Sequence, residues 1–297
     1  MQMQFLMGGK MVELSDHTRL MNIMIGLSMN IPHWPHSFKD LKYNVELIEP
    51  KITEANPDLI ITNKKFNHSM VVDCKSQTLE EKQIKKYVNI RENPNILIQN
   101  GFVQVPHHNI FKADPTISTF YDLSSEKLIL ENKIPLLHVI QNNNHILKIE
   151  KKCANFQNKQ LDRIFPIDTS SGEPPYNLYP FDENDEDIFS IAILRQLVAF
   201  GTRDKIFTVE GLLQEVHPFW SIIHNKKKFK EKATTLLIEL QNKGKKIGLN
   251  RYIYREGIGW RINISRDIKS IRAFQKICST LEETITYKTV QKTINDD

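Results

Sequence analysis

The stretch PDLIITNKKFNHSMVVDCKS, residues 57–76, decides how this chain is read. PDLIIT (57–62) and SMVVDCK (69–75) are short apolar runs rich in Ile and Val, separated by the polar NKKFNH. That pattern predicts a β-hairpin whose strands are buried on at least one face. Side chains alternate along a strand, so Asp73 and Lys75 share a face while Cys74 points to the other. In the obvious register Asp58 opens one strand, and Asp73 and Lys75 close its antiparallel neighbour. All three groups then meet at one end of the sheet. Two carboxylates converging there make a hard-oxygen site suited to Mg²⁺, with Mn²⁺ as a substitute. A lysine beside them can orient a water or hold a phosphate as a point charge.

Outward from the hairpin, residues 11–29 carry apolar residues at helical spacing, and IPHWPH (31–36) ends that helix because its two prolines cannot continue the ladder. YNVELIEP (43–50) alternates as a strand does. TLEEKQIKKYVNIRE (78–92) predicts a helix with Thr78 as N-cap and Glu80 and Glu81 in its first turn. NILIQ, LLHVIQ and HILKIE read as further strands, the last after the NNN turn at 142–144. The order of helix, three strands, helix and strands is that of a mixed α/β domain.

Pro57 and Asp58, then 14 intervening residues, then Asp73-x-Lys75 resemble the PD-(D/E)xK nuclease superfamily. Gln83-Ile-Lys-Lys-Tyr87 on the following helix is similar to the QxxxY element of its RecB-type members, and residues four apart share a helix face. The resemblance covers about residues 10–150. It implies a restriction-endonuclease-like αβββαβ core with a mixed sheet. By the same resemblance Asp58 and Asp73 bind Mg²⁺, Lys75 assists the water or the phosphate, and Gln83 and Tyr87 support the site. Family members often draw a further carboxylate from the first helix; Glu13 fits that place, with Glu46 and Glu54 as competitors. A helix histidine is also found in RecB-type enzymes, a position that His17 could fill.

From about residue 166 the character changes. PIDTSSGEPPYNLYPFDENDED, rich in proline and acid, reads as a linker over 166–186. The chain divides accordingly into a nuclease domain at 1–165 and a smaller domain at 187–297. In the latter, helices are expected over 187–200, 208–218 and 225–245, the second capped by Thr208, and two strands over 251–265 around EGIG. Three helices followed by a hairpin resemble a winged helix-turn-helix, an α+β domain that positions DNA. Lys226, Lys227, Lys228, Lys230 and Lys232 crowd the start of its third helix, Lys243, Lys245 and Lys246 follow, and Arg251, Arg255 and Arg261 lie on the wing. In a helix-turn-helix that helix enters the major groove, where lysines add salt-dependent, largely non-specific affinity.

Bulk composition bounds these readings. The chain has 297 residues, 40% hydrophobic and 25% charged, enough to bury a core without staples. Lys and Arg exceed Asp and Glu by 5, a mild basic balance that suits a polyanion without demanding one. Three cysteines, Cys74, Cys153 and Cys278, lack CxxC spacing, so neither a disulfide framework nor a structural zinc is expected and a cytoplasmic protein fits. No signal peptide and no membrane span are expected, and there is no P-loop of the GxxxxGK[ST] form.

Plainer readings stand beside these. Pro57-Asp58 also suits a turn, and Asp73 with Lys75 an edge-strand ion pair of little energetic worth. Gln83 and Tyr87 could be a polar helix face and a half-buried aromatic. Cys74 reads as a small core residue and Trp260 as packing of the wing on its core. His107 and His108 read as loop surface. The lysine run could be a solvated helix face, and the winged helix could dock a protein. The expected function is a metal-dependent DNA endonuclease of prokaryotic restriction, antiphage defence or transposition, with DNA as partner. The alternative is a catalytically silent or partner-activated DNA-binding adaptor subunit, with control supplied by a partner ATPase or sensor. A homodimer is compatible with either, since many such nucleases pair to cut both strands.

Overall fold

Ser15 starts the first helix: its hydroxyl accepts from the Thr18 amide at 3.2 Å, and Asp16 places a negative charge in the first turn. The computed structural model describes residues 14–295 apart from 53–54, 76–78, 143–144, 176–177, 182–184, 202–205, 248–250 and 265–266, and the side chains of 243–247 and 286–295. The described chain forms two units, one of Ser15–Tyr179 with Ile222–Asn225, the other built from Pro180–Ser221 and Lys226–Asp297.

The larger unit runs α1 (Asp16–Leu27), α2 (Ser37–Asp40), β1 (Asn44–Ile48), β2 (Leu59–Asn63), β3 (His68–Lys75), α3 (Glu81–Glu92), α4 (Ile96–Gln99), β4 (Lys112–Thr119), α5 (Glu126–Glu131), β5 (Leu136–Asn142), β6 (His145–Lys152), α6 (Lys159–Asp162) and β7 (Ile167–Asp168). Its seven strands lie side by side in chain order. β3, β4 and β5 are parallel, and antiparallel strands flank them on both sides. The unit is thus mixed α/β.

The hairpin is as expected, with Leu59 opposite Val72 and Ile60 opposite Val71. Continuing that register sets Asp58 against Asp73. All of β2 is buried, and all of β3 except its last residue. Val71 packs into a core with Ile60, Ala113, Ile117 and Leu136, covered by Ile84, Tyr87 and Ile90 of α3. Since side chains two apart share a face, Asp73 lies under α3 as well.

Three sequence expectations are corrected. NILIQ is not a strand but the short helix α4. A central strand, β4, lies where none was expected, because its sequence KADPTIST carries Asp and Pro. The sheet tolerates Pro115 because β5 pairs only with Ile117–Thr119, so the proline has a single strand neighbour. Nor is 166–186 a linker throughout. Ile167 pairs with Ile149, Thr169 and Tyr179 are buried, and Asn22 of α1 holds Tyr179 through bonds to its amide and carbonyl. The larger unit therefore runs to Tyr179 and not to 165.

A second polar cluster is sealed at the far end of β3. His68 bonds Tyr43 Oη at 2.7 Å and Asp114 Oδ2 at 2.9 Å. The Gln157 amide and side chain donate to the same carboxylate, and Asn158 donates to Tyr43 Oη. Its buried polar groups are hydrogen-bonded, as burial requires.

The smaller unit contains α7 (Glu186–Gly201), β8 (Ile206–Phe207), α8 (Val209–Val216), α9 (Lys226–Ile247), β9 (Ile253–Glu256), β10 (Gly259–Ile262) and α10 (Ile268–Asn295). Its three strands are ordered β8-β10-β9, all antiparallel. Thr208 caps α8 by accepting from the Gly211 amide at 3.0 Å. Phe181, Phe189, His217, Trp220 and Phe229 form the aromatic part of its core. No described helix is long and apolar enough to cross a membrane.

Candidate active site

Asp73 is fully buried near the end of β3. Tyr87 Oη donates to its Oδ2 at 2.6 Å, and Gln83 Nε2 donates to the same oxygen at 3.2 Å. The other oxygen, Oδ1, lies 3.0 Å from Lys75 Nζ, at ion-pair distance but without hydrogen-bond alignment to any described group. One turn of α3 thus fixes the carboxylate's orientation and leaves one oxygen turned toward the lysine.

Asp58 is held from two sides. The Cys74 amide donates to its Oδ2 at 2.6 Å, and His17 Nε2 of α1 lies 3.0 Å from its Oδ1. Backbone bonds fasten the Asp58 position in turn: its amide donates to Val72 and its carbonyl accepts from Glu49. The cluster therefore draws on α1, the entry to β2, the end of β3, and α3.

Its electrostatics follow from burial. Desolvation, then the neighbouring Asp58 charge, push the Asp73 carboxyl up to about 7, although Lys75 and Tyr87 pull the other way. Desolvation draws Lys75 toward neutrality, but Asp73 and Asp58 outweigh it and its pKa is raised, so it stays an ammonium. Burial and then the Asp73 charge raise the Tyr87 phenol, which stays a donor. Burying Asp73 costs free energy, which Lys75, Tyr87 and Gln83 offset in part.

Asp58, Asp73, Lys75, Gln83, Tyr87 and His17 are therefore brought together, and since β3 has a neighbour on each side the edge-strand reading is set aside. Glu46 is not part of the group, since it pairs with Lys64 at 2.8 Å toward the hairpin turn. Glu13, Glu54 and Thr78 lie outside the described residues. Among those described, no group of three or more His, Cys, Asp or Glu is arranged to hold a metal ion. Two carboxylates are the donor type that Mg²⁺ takes, one or two at a time with several waters, although Cys74 and His17 engage Asp58 and Lys75 faces Asp73. Sequence reasoning missed Asp16, Arg19 and Tyr121, which border this cluster. The signal available was the Asp16-His17 pair at a helix start.

In the smaller unit the expected nucleic-acid face is partly occupied by its own acids. Lys230 pairs with Glu210, Lys232 with Glu186 at 3.3 Å and Lys227 with Glu231 at 3.8 Å. Lys226 sits 5.4 Å from the centre of the Trp220 ring. Lys228, Arg251 and Arg255 are exposed, and Arg261 pairs with Glu256. The side chains of Lys243, Lys245 and Lys246 lie outside the described residues. Cys74 and Trp260 are buried, as expected.

Fold and site define a protein with a mixed α/β unit, a carboxylate–lysine cluster at the end of its central hairpin, and a smaller helical and β unit. Two family models match the chain: the MJECL32 domain over residues 16–179, and a domain of unknown function, DUF8601, over residues 182–297. The chain belongs to the MJECL32 domain family, whose match ends where the larger unit does. It is similar to the uncharacterized protein MJECL32 of Methanocaldococcus jannaschii, 30% identical over 209 residues, which are 63% of this chain and 47% of that protein. The chain thus spans about half the length of the curated relative it matches. No solved structure matches it.

Proposed function

We propose that this protein is a divalent-metal-dependent DNA endonuclease of the PD-(D/E)xK type, with a restriction-endonuclease-like core and a winged-helix unit that positions DNA. One observation carries the reading: the buried Asp73, oriented by Tyr87 and Gln83, sets its other oxygen 3.0 Å from Lys75, beside Asp58. Such a group is expensive to bury without a purpose.

Asp58 and Asp73 would hold Mg²⁺, which when bound lowers the pKa of a water and neutralises phosphate charge. Hydrolysis adds a water oxygen to phosphorus, breaks one P–O ester bond and leaves a proton on the departing hydroxyl. In this chain Lys75 supplies a fixed positive charge for a phosphate oxygen, or orients the water. Tyr87 and Gln83 keep Asp73 aimed, and His17 restrains Asp58. The β-strand frame holds these groups rigid, as reaction geometry needs.

The second reading, a catalytically silent or partner-activated adaptor, is favoured by the absence of a three-acid metal group among the described residues. Cleavage of supercoiled plasmid and of single-stranded DNA in Mg²⁺, Mn²⁺ or EDTA separates the two. The nuclease reading expects metal-dependent cutting that Lys75→Ala and Asp73→Ala both abolish. Cutting that survives both substitutions contradicts it, and DNA binding without cutting in any metal moves the account to the adaptor.

A further inference from the structure

β4 leaves the sheet beside the proposed site, since Thr119 pairs with Lys75 in the parallel ladder. Two residues on, Tyr121 is 44% exposed, and among the described residues no aromatic ring stacks on it. It is nonetheless fixed. Its amide donates to Thr119 Oγ1 at 3.1 Å, and its hydroxyl donates to Asp16. Asp16 Oδ1 accepts from Arg19 Nη1 at 2.9 Å. Arg19, itself buried, donates to Gln141 Oε1 at 2.6 Å and lies 4.8 Å from the centre of the Phe120 ring. Asp16 adjoins His17, the residue against Asp58. A rigid brace therefore holds an exposed aromatic ring at the rim of the carboxylate–lysine cluster.

An exposed tyrosine is ordinary when its ring is free to move. Here the bond to Asp16 orients the ring, which lowers the cost of ordering it under a flat ligand. The Tyr121 hydroxyl is already donated to Asp16, whose other oxygen pairs with Arg19, so what the ring offers a ligand is its face, which suits a flat, uncharged group. A nucleobase satisfies both conditions, because every base has a π-face and stacks on aromatic side chains with little sequence preference.

We propose that Tyr121 is a stacking platform for an unpaired base flanking the scissile phosphate, which makes single-stranded or frayed DNA the preferred substrate class. This rests on the nuclease reading above and specifies its substrate.

The test uses the full chain, an oligonucleotide with 2-aminopurine near its centre, single-stranded or in duplex, and Ca²⁺ to hold DNA without turnover. Wild type is expected to bind the single strand with altered 2-aminopurine fluorescence from stacking. Tyr121→Phe, which keeps the ring and loses the brace, is expected to keep the stacking signal but to bind the single strand a few-fold more weakly than wild type. Tyr121→Leu is expected to lose it and to bind the single strand about 10-fold more weakly, with duplex binding unchanged. An unchanged fluorescence signal in Tyr121→Leu, or equal losses on both substrates, overturns the inference while leaving the nuclease reading standing. Absence of DNA binding by wild type, together with no cleavage in any metal, overturns the nuclease reading itself.

Discussion

At the scale of single residues, Asp73 is buried against its own charge. Its carboxyl titrates near 7 in the folded chain because burial and Asp58 oppose its charge. An unfolded chain ionises the same group at the ordinary carboxylate pKa, so folding is favoured while the proton is retained. That contribution is complete below the unfolded value and is lost as pH rises from about 4 to about 7. Asp73→Asn keeps an acceptor for Tyr87 and Gln83 and removes the charge. In EDTA at about pH 8 its urea unfolding should show stability raised by on the order of 2–4 kcal/mol, with the gain fading toward about pH 4. The same variant should be inactive as a nuclease. A destabilised variant at high pH would mean that the Lys75 ion pair, and not desolvation, dominates at Asp73.

Among the elements, the hairpin was legible because β2 and β3 hold short runs rich in Ile and Val separated by the polar NKKFNH, and its register is the obvious one. Gln83 and Tyr87 were legible because helix spacing puts residues four apart on one face. β4 was hidden: its Asp114 and Pro115 argue against a strand, and only the tertiary pairing with β3 gives each a place. The linker expectation failed for a similar reason, since a polar, proline-rich composition says nothing of the bonds that pin Tyr179 to Asn22. The sealed contact between His68 and Asp114 fastens β3 to the start of β4, and changing a buried carboxylate that also accepts from Gln157 leaves several buried partners unsatisfied. Asp114→Asn should therefore destabilise the larger unit by about 3–5 kcal/mol. Equilibrium denaturation checks this, and a loss under about 1 kcal/mol would show that the network is no more than a surface-type pair.

At the scale of the molecule, two units with separate cores should differ in their response to acid. In the smaller unit His217 lies among Phe181, Phe219 and Phe229, and desolvation holds its pKa down near 4. The unfolded chain therefore takes up a proton first, so this contribution is present above about pH 6.5 and is lost as pH falls toward about 4. The smaller unit should lose on the order of 2–3 kcal/mol across that range. A His217→Gln variant should show a flatter profile in pH-dependent denaturation followed by Trp220 and Trp260 fluorescence. Equal slopes in the two proteins would assign the acid response to other groups. The charge pattern of this unit was less legible than its secondary structure. A run of lysines reads as free positive charge in sequence, whereas Glu210, Glu186 and Glu231 claim Lys230, Lys232 and Lys227 in space.

The account turns on a cation held at Asp58 and Asp73, and Mn²⁺ titration of the full chain followed by electron paramagnetic resonance tests this most directly. The prediction is saturable Mn²⁺ binding by wild type, competed by Mg²⁺, and lost in Asp73→Asn although that variant remains folded. Equal Mn²⁺ binding by wild type and Asp73→Asn would contradict the account and leave the carboxylate–lysine cluster a structural ion pair.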